Sequence, residues 1–171
     1  MFFSGFCFHH EEVLFKRFLP KGIYDLSGFS YGAQKAFDEA YRRICEGKRV
    51  QRLALFSPAF FEDKTQAYKR LQILAFNRDS DSYIQAFLHS IGLSQGMQKY
   101  IQKGEISELE ALLYYVWDKK KLEKIKDKGI KLEVYLGGED EIINPLAARD
   151  FFAPYGVVYF IKSSNHLLTP I

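Results

Sequence analysis

Two cysteines in 171 residues are too few for a disulfide scaffold, and Cys7 and Cys45 lack the paired spacing of a zinc site. A reducing compartment is the economical reading. Charge of one sign is also scarce: 24 basic residues against 21 acidic ones leave a formal +3, which does not call for nucleic acid, so any acidic partner has to be met by a local patch. No stretch approaches the about eighteen consecutive apolar residues of a membrane span. The apolar start, MFFSGFCFHHEEVLF, has no basic leading region, is broken by Gly5, and reaches His9, His10, Glu11 and Glu12 too early for a secretory signal. Histidines with metal-ligand spacing are missing as well, because HHEE lacks the i,i+4 pair of a zinc helix and His89 stands alone. No metal and no cofactor is expected. The chain is rich in apolar residues (47%) and aromatics (16%), enough for one sizeable core in one domain with room for an insertion. A cytoplasmic, soluble monomer is expected.

The pattern of elements predicts an α/β class. Residues 1–4 read as a very short strand ending at Ser4-Gly5, and a helix follows from about His10 to Leu19, stopped by Pro20. Ile23 to Ser27 is a brief apolar run of the buried-parallel type that leads straight into Gly28. From Tyr31 the period becomes helical, with Ala33, Ala36, Phe37, Ala40, Tyr41 and Ile44 on one face and Gly47 at the end. Arg52–Phe56, Lys131–Leu136 and Val157–Ile161 are further buried strands, and a helix near Pro145–Phe152 separates the last two. Strands alternating with helices imply a largely parallel sheet with ligands gathered at the strand carboxyl ends. Residues 1–60 and 129–171 form this core. Between them, residues 61–128 show helical segments without a convincing strand, which reads as a lid over the strand ends, with the lysine-rich 118–131 stretch as a solvated helix and hinge.

Gly28-Phe29-Ser30-Tyr31-Gly32 matches G-x-S-x-G. Such a match arises by chance in roughly one chain in twenty of this length at ordinary glycine and serine frequencies, so context has to decide. The context is a strand run before it and a helix after it, where a nucleophilic serine on a tight turn needs small neighbours and the helix amides face a developing anion. A nucleophile needs a base and an orienting acid, in the chain order Ser, Asp or Glu, His. YLGGEDEIINP puts acids just past one strand and SSNHLL puts His166 just past the last. Ser30, Asp140 and His166 complete a triad in that order, His166 taking the Ser30 proton and Asp140 fixing its tautomer. Glu139 and Glu141 compete for the acid role; Asp140 is preferred because Ile142, Ile143 and Pro145 behind it let the loop turn inward. Oxyanion amides are expected from Tyr31 and, in the Ser4–Phe8 loop, from Phe6, where Gly5 allows the backbone to turn toward the site.

With these residues in place the chain resembles an α/β-hydrolase. FFSGF is similar to the strand and oxyanion loop of esterases that act on pimeloyl-acyl-carrier-protein methyl ester, with Ser4 where many relatives carry histidine. The small BioV type fits best, in the short opening, YDLSGFSYGAQKAF, GGEDEIINP and SSNHLL. The resemblance implies an α/β-hydrolase fold in compact, trimmed form: the chain departs from the family pattern by beginning at the oxyanion strand and by lacking a strand and helix between Leu19 and Ile23 and a helix after His166. It also implies hydrolysis of a methyl ester in biotin synthesis, with Ser30 as nucleophile, Asp140 as acid, His166 as base and Phe6 and Tyr31 as oxyanion amides. An acyl-carrier partner is acidic, and the first lid helix and the loop after it offer Lys69, Arg70 and Arg78 to steer it, with Tyr68, Leu71, Ile73, Leu74 and Phe76 as an apolar underside over the pocket. A thioesterase or short-chain esterase with the same triad, and a non-catalytic carrier-binding scaffold, are the alternatives.

Overall fold

In the computed structural model, which describes residues 1–170, five parallel strands form one sheet in sequence order. They are β1 (Phe2–Phe3), β2 (Asp25–Phe29), β3 (Arg52–Phe56), β4 (Lys131–Gly137) and β5 (Val157–Ile161). The helices are α1 (Tyr31–Cys45), α2 (Gln66–Arg78), α3 (Ser80–Ser90), α4 (Ile106–Tyr114), α5 (Lys119–Asp127) and α6 (Pro145–Phe152). The α/β class, the parallel sheet and the strandless helical stretch after β3 agree with the sequence pattern. Among the described residues, no helix is long and apolar enough to cross a membrane.

Helix α1 lies against β1, β2 and β3, α5 against α1 and β4, and α6 against β4 and β5. Small residues make the first contact close: Ala33, Ala36 and Ala40 are fully buried on α1, while Glu39, Arg42 and Arg43 bond one another on its outer side. The 118–131 segment is more than a solvated run. Leu122 and Ile125 of α5 are fully buried, so its lysines occupy only the outer face of a helix that belongs to the sheet layer.

The other face of the sheet carries an aromatic cluster. Phe15 stacks on Phe56 with centroids 4.8 Å apart and meets Phe29 at 4.9 Å, while Phe18 meets Tyr135 at 4.9 Å. The β1–β2 connection therefore crosses the face opposite to α1, with the opposite hand from the connections through α1, α5 and α6. Between β1 and β2 the chain forms only a 3₁₀ turn, with no further strand or α-helix among the described residues.

Two sequence expectations need correction in this connection. In place of a helix from His10 to Leu19 there is only a 3₁₀ turn, Glu11–Phe15, continued by a Phe18 N–H bond to the Phe15 carbonyl at 2.8 Å. Side chains three residues apart eclipse in such a turn, which lets Phe15 and Phe18 drop together onto the sheet. The strand expected at Ile23 to Ser27 begins two residues later: Ile23 is 84% exposed, the Gly22 N–H is capped by Asp25, and β2 runs through Phe29 to the elbow itself.

A Cβ at Gly32 would overlap the carbonyl groups of Phe3 and Ser4, whereas one at Gly47, φ 70°, would meet open space. Gly32→Ala is expected to cost at least the about 3 kcal/mol at the upper end of overpacking, and Gly47→Ala only about 1 kcal/mol, in denaturant unfolding. Equal costs would contradict the close approach of α1 to β1.

Candidate active site

Strand β2 ends at Phe29 and α1 starts at Tyr31, so Ser30 alone makes the turn. Its backbone sits at φ 52°, ψ −112°, a conformation that costs an L-residue about 1–3 kcal/mol and persists only where its surroundings dictate it. The Ser30 N–H donates to the Phe56 carbonyl at 2.9 Å, and its own carbonyl accepts from the N–H groups of Ala33 and Ala59, both at 3.1 Å. Both glycines of the motif are sterically required, because a Cβ at Gly28 would overlap the Gly32 carbonyl and a Cβ at Gly32 would overlap that of Phe3.

The structure brings Ser30, His166 and Asp140 together. His166 is fully buried, its Nε2 lies 3.0 Å from Ser30 Oγ, and its Nδ1 lies 2.6 Å from Asp140 Oδ2. In this chain of bonds the imidazole can take the serine proton while the carboxylate holds the ring and stabilises its charge. The second oxygen of Asp140 accepts from Ile142 N–H at 2.8 Å and Ile143 N–H at 3.2 Å, a local turn that points the carboxylate inward. Glu139 and Glu141 stay exposed. The acid and histidine loops are tied to each other through Gly138 N–H to the Ile161 carbonyl, 2.8 Å, and Glu139 N–H to the Ser164 carbonyl, 3.0 Å.

The loop after β1 faces the same cavity. Gly5 to Phe8 is a turn closed by the Phe8 N–H to Gly5 carbonyl bond, 3.1 Å, with Cys7 at φ 64°, the mark of a type II turn. Gln102 N–H bonds the Cys7 carbonyl at 3.0 Å on one side, and Glu11 accepts the Gly5 N–H at 2.7 Å on the other. Among the described residues, the N–H groups of Phe6 and Tyr31 donate to no atom of the chain, which leaves both free for an incoming oxygen.

Between the strand ends and helices α2, α3 and α4 lies a cavity of about 210 Å³, lined by Ser30, Phe6, Phe61, Phe87, Leu109 and Leu113 among others. Its few polar groups include Tyr83, whose hydroxyl donates to Gln72 at 2.9 Å. The lid face is not the one expected. Leu71 and Leu74 are 62% and 63% exposed on the outer side of α2 beside exposed Arg70 and Arg78, whereas Lys69 is buried with its ammonium 5.5 Å from the Tyr114 ring centroid. Lys69 is therefore a packing residue here and not a free surface charge; Leu71 and Leu74 do not form the underside.

Three residues escaped the sequence pattern. Gln34, one turn after Ser30, is buried and donates to the Ala59 carbonyl at 2.9 Å and the Leu112 carbonyl at 3.1 Å, tying α4 to the segment after β3. Its signal was a polar residue inside the apolar stripe of α1. Asn165 folds the histidine loop by accepting from Leu167 N–H, Thr169 N–H and the Thr169 hydroxyl. Glu11 is fully buried, and burial pushes its carboxyl above the usual value while the Gly5 N–H pulls it partly back.

No protein-family model matches the chain, and no curated protein matches it by sequence. Solved structures do. It is similar to a lipase-esterase related protein from Clostridium acetobutylicum, TM-score 0.68 at 14% identity over 99% of this chain and 87% of the other. An esterase from Exiguobacterium antarcticum gives TM-score 0.64 at 17% identity over 91% and 63%, and BioG from Haemophilus influenzae gives 0.59 at 14% over 97% and 87%. The fold is that of the α/β-hydrolases. The chain spans 53% of a naproxen esterase from Bacillus subtilis, to which it is similar with TM-score 0.53 at 18% identity over 84% of this chain, and 63% of the Exiguobacterium esterase.

Burial pushes the Cys7 thiol up to about 12, and Cys45 is exposed. Iodoacetamide at pH 8 is thus expected to add once to the folded chain, at Cys45, and twice after denaturation. Two adducts on the folded protein would contradict the packing of the Gly5–Phe8 loop.

Proposed function

We propose that the chain is a serine carboxylesterase that hydrolyses the methyl ester of pimeloyl-acyl-carrier protein. The observation that carries the reaction class is the buried bond chain from Ser30 Oγ through His166 to Asp140. Ser30 Oγ attacks the ester carbonyl carbon as His166 Nε2 takes its proton, and the N–H groups of Phe6 and Tyr31 receive the oxyanion. The intermediate collapses with His166 returning the proton to the departing methoxide, so methanol leaves and an acyl-Ser30 ester remains. A water deprotonated by His166 then attacks that ester, freeing the carboxylic acid and restoring the serine.

The substrate within the class rests on three supports: the sequence resemblance to biotin-pathway esterases, the likeness to the protein named BioG, and the apolar cavity beside Ser30, which suits an aliphatic chain. For the carrier, Arg70 and Arg78 stand exposed beside Leu71 and Leu74, a basic and apolar face that fits an acidic partner.

The deciding test is mass spectrometry of pimeloyl-acyl-carrier-protein methyl ester after incubation with enzyme. Loss of about 14 Da, abolished by Ser30→Ala, is expected. Free carrier in its place would make the protein a thioesterase, and an unchanged substrate would leave a binding scaffold. Asp140→Asn is expected to lower kcat by about 10⁴-fold while Glu139→Gln leaves it within about twofold, and the reverse would reassign the acid. Charge reversal at Arg70 and Arg78 should lower kcat/KM for the carrier-bound ester, with a deficit that widens at low salt, and spare a small ester. A deficit unaffected by salt would remove the carrier from this face.

A further inference from the structure

Glu11 has no part in the reaction described above, yet it is fully buried with no basic side chain bonded to it, and among the described residues its Oε2 meets no hydrogen-bond partner. A carboxylate left half-satisfied in the interior is a cost to the fold. The group it holds at hydrogen-bond geometry is one backbone N–H, with the Ser4 hydroxyl near enough to lower its carboxyl pKa as well. Its Oε1 accepts the Gly5 N–H at 2.7 Å, and the Gly5 carbonyl is held in turn by the Phe8 N–H at 3.1 Å.

These two bonds clamp both sides of the Gly5 α-carbon, the most freely rotating kind of residue in a chain. Gly5 must remain glycine here, because a Cβ would come within 2.7 Å of the Phe29 ring. In a trans peptide the carbonyl oxygen and the following N–H point in opposite directions. Fixing the Gly5 carbonyl toward Phe8 therefore fixes the Phe6 N–H away from the turn, and Phe6 lines the same cavity as Ser30.

We propose that Glu11 is the positioning residue of the oxyanion loop: its carboxylate, by holding the Gly5 N–H, aims the Phe6 N–H at the oxygen of the bound ester. This rests on the esterase reading. The role requires an acceptor at Oε1 and nothing else, so glutamine can fill it, whereas methionine matches the reach of glutamate and removes the acceptor.

The test compares the full-length wild type, E11Q and E11M with p-nitrophenyl butyrate, thermal unfolding and amide hydrogen exchange. Loss of an oxyanion donor outright costs about 10²–10³ in kcat, so misaiming it in E11M is expected to lower kcat by about tenfold or more with KM within about threefold. Tm of E11M should stay within a few degrees of that of the wild type, since the cost of leaving the buried Gly5 N–H without its acceptor is offset by removal of the half-satisfied carboxylate. E11Q should keep kcat within about threefold. An E11M that keeps its kcat, an E11Q as impaired as E11M, or an E11M that fails to fold overturns the proposal. If the wild type hydrolyses nothing, the esterase reading fails, and exchange at Gly5 still decides this one. Protection in the wild type and E11Q with loss in E11M upholds the anchor; a Gly5 amide unprotected in the wild type removes it.

Discussion

Ser30 sits at positive φ where helix α1 approaches the sheet, and the rest of the site is arranged around that approach. The distance is short because Gly28, Gly32, Ala33 and Ala36 present almost no side chain between strand and helix. The same contact fixes β1, since Gly32 lies on the Phe3 and Ser4 carbonyls, and the loop after β1 is the one that carries Phe6. One close packing thus sets Ser30 and the Gly5–Phe8 loop relative to each other. Asp140 and His166 arrive from β4 and β5 on loops that bond each other, so the candidate site stands at one end of a parallel sheet, as the direction of its strands requires.

The site is also where the chain gives up stability. Ser30 and Cys7 both sit at positive φ without being glycine, and Asp140, His166, Gln34 and Glu11 are polar groups taken out of water. Most are satisfied by named partners. Among these groups the atoms without a partner, Glu11 Oε2 and Gln34 Oε1, belong to side chains that hold the Gly5 N–H and tie α4 to the core. Such local deficits are tolerated where geometry has a use, and the broad aromatic cluster of Phe15, Phe29 and Phe56 on the opposite face supplies burial to offset them.

Much of this was legible in the residues. Strands β3, β4 and β5 were short apolar runs bounded by Pro or Gly, α1 had an unbroken 3.6-residue stripe, and α6 opened on Pro145, so local signals and tertiary packing agreed. The G-x-S-x-G elbow, the Asp140 loop and His166 each followed a strand, which is why their meeting was visible before any coordinate. Residues 10–19 misled because Val13, Leu14, Phe15, Phe18 and Leu19 satisfy a helical period, while the sheet needs Phe15 and Phe18 side by side and leaves Val13 half-exposed. On α2, apolar residues occupy nearly every direction, so periodicity does not say which stripe faces inward, and Lys69 rather than Leu71 turned in. Glu11 and Asn165 act through backbone groups brought near by the fold, a relation with no period to read.

The central claim is that the buried Ser30–His166–Asp140 arrangement activates the serine hydroxyl. It is tested most directly by intact-mass analysis of the folded protein after treatment with a fluorophosphonate, with His166→Ala alongside. One adduct per chain, located on Ser30, is expected, with a strongly reduced yield in the folded variant. A folded wild type that takes up no adduct, or takes it up equally without His166, would contradict it.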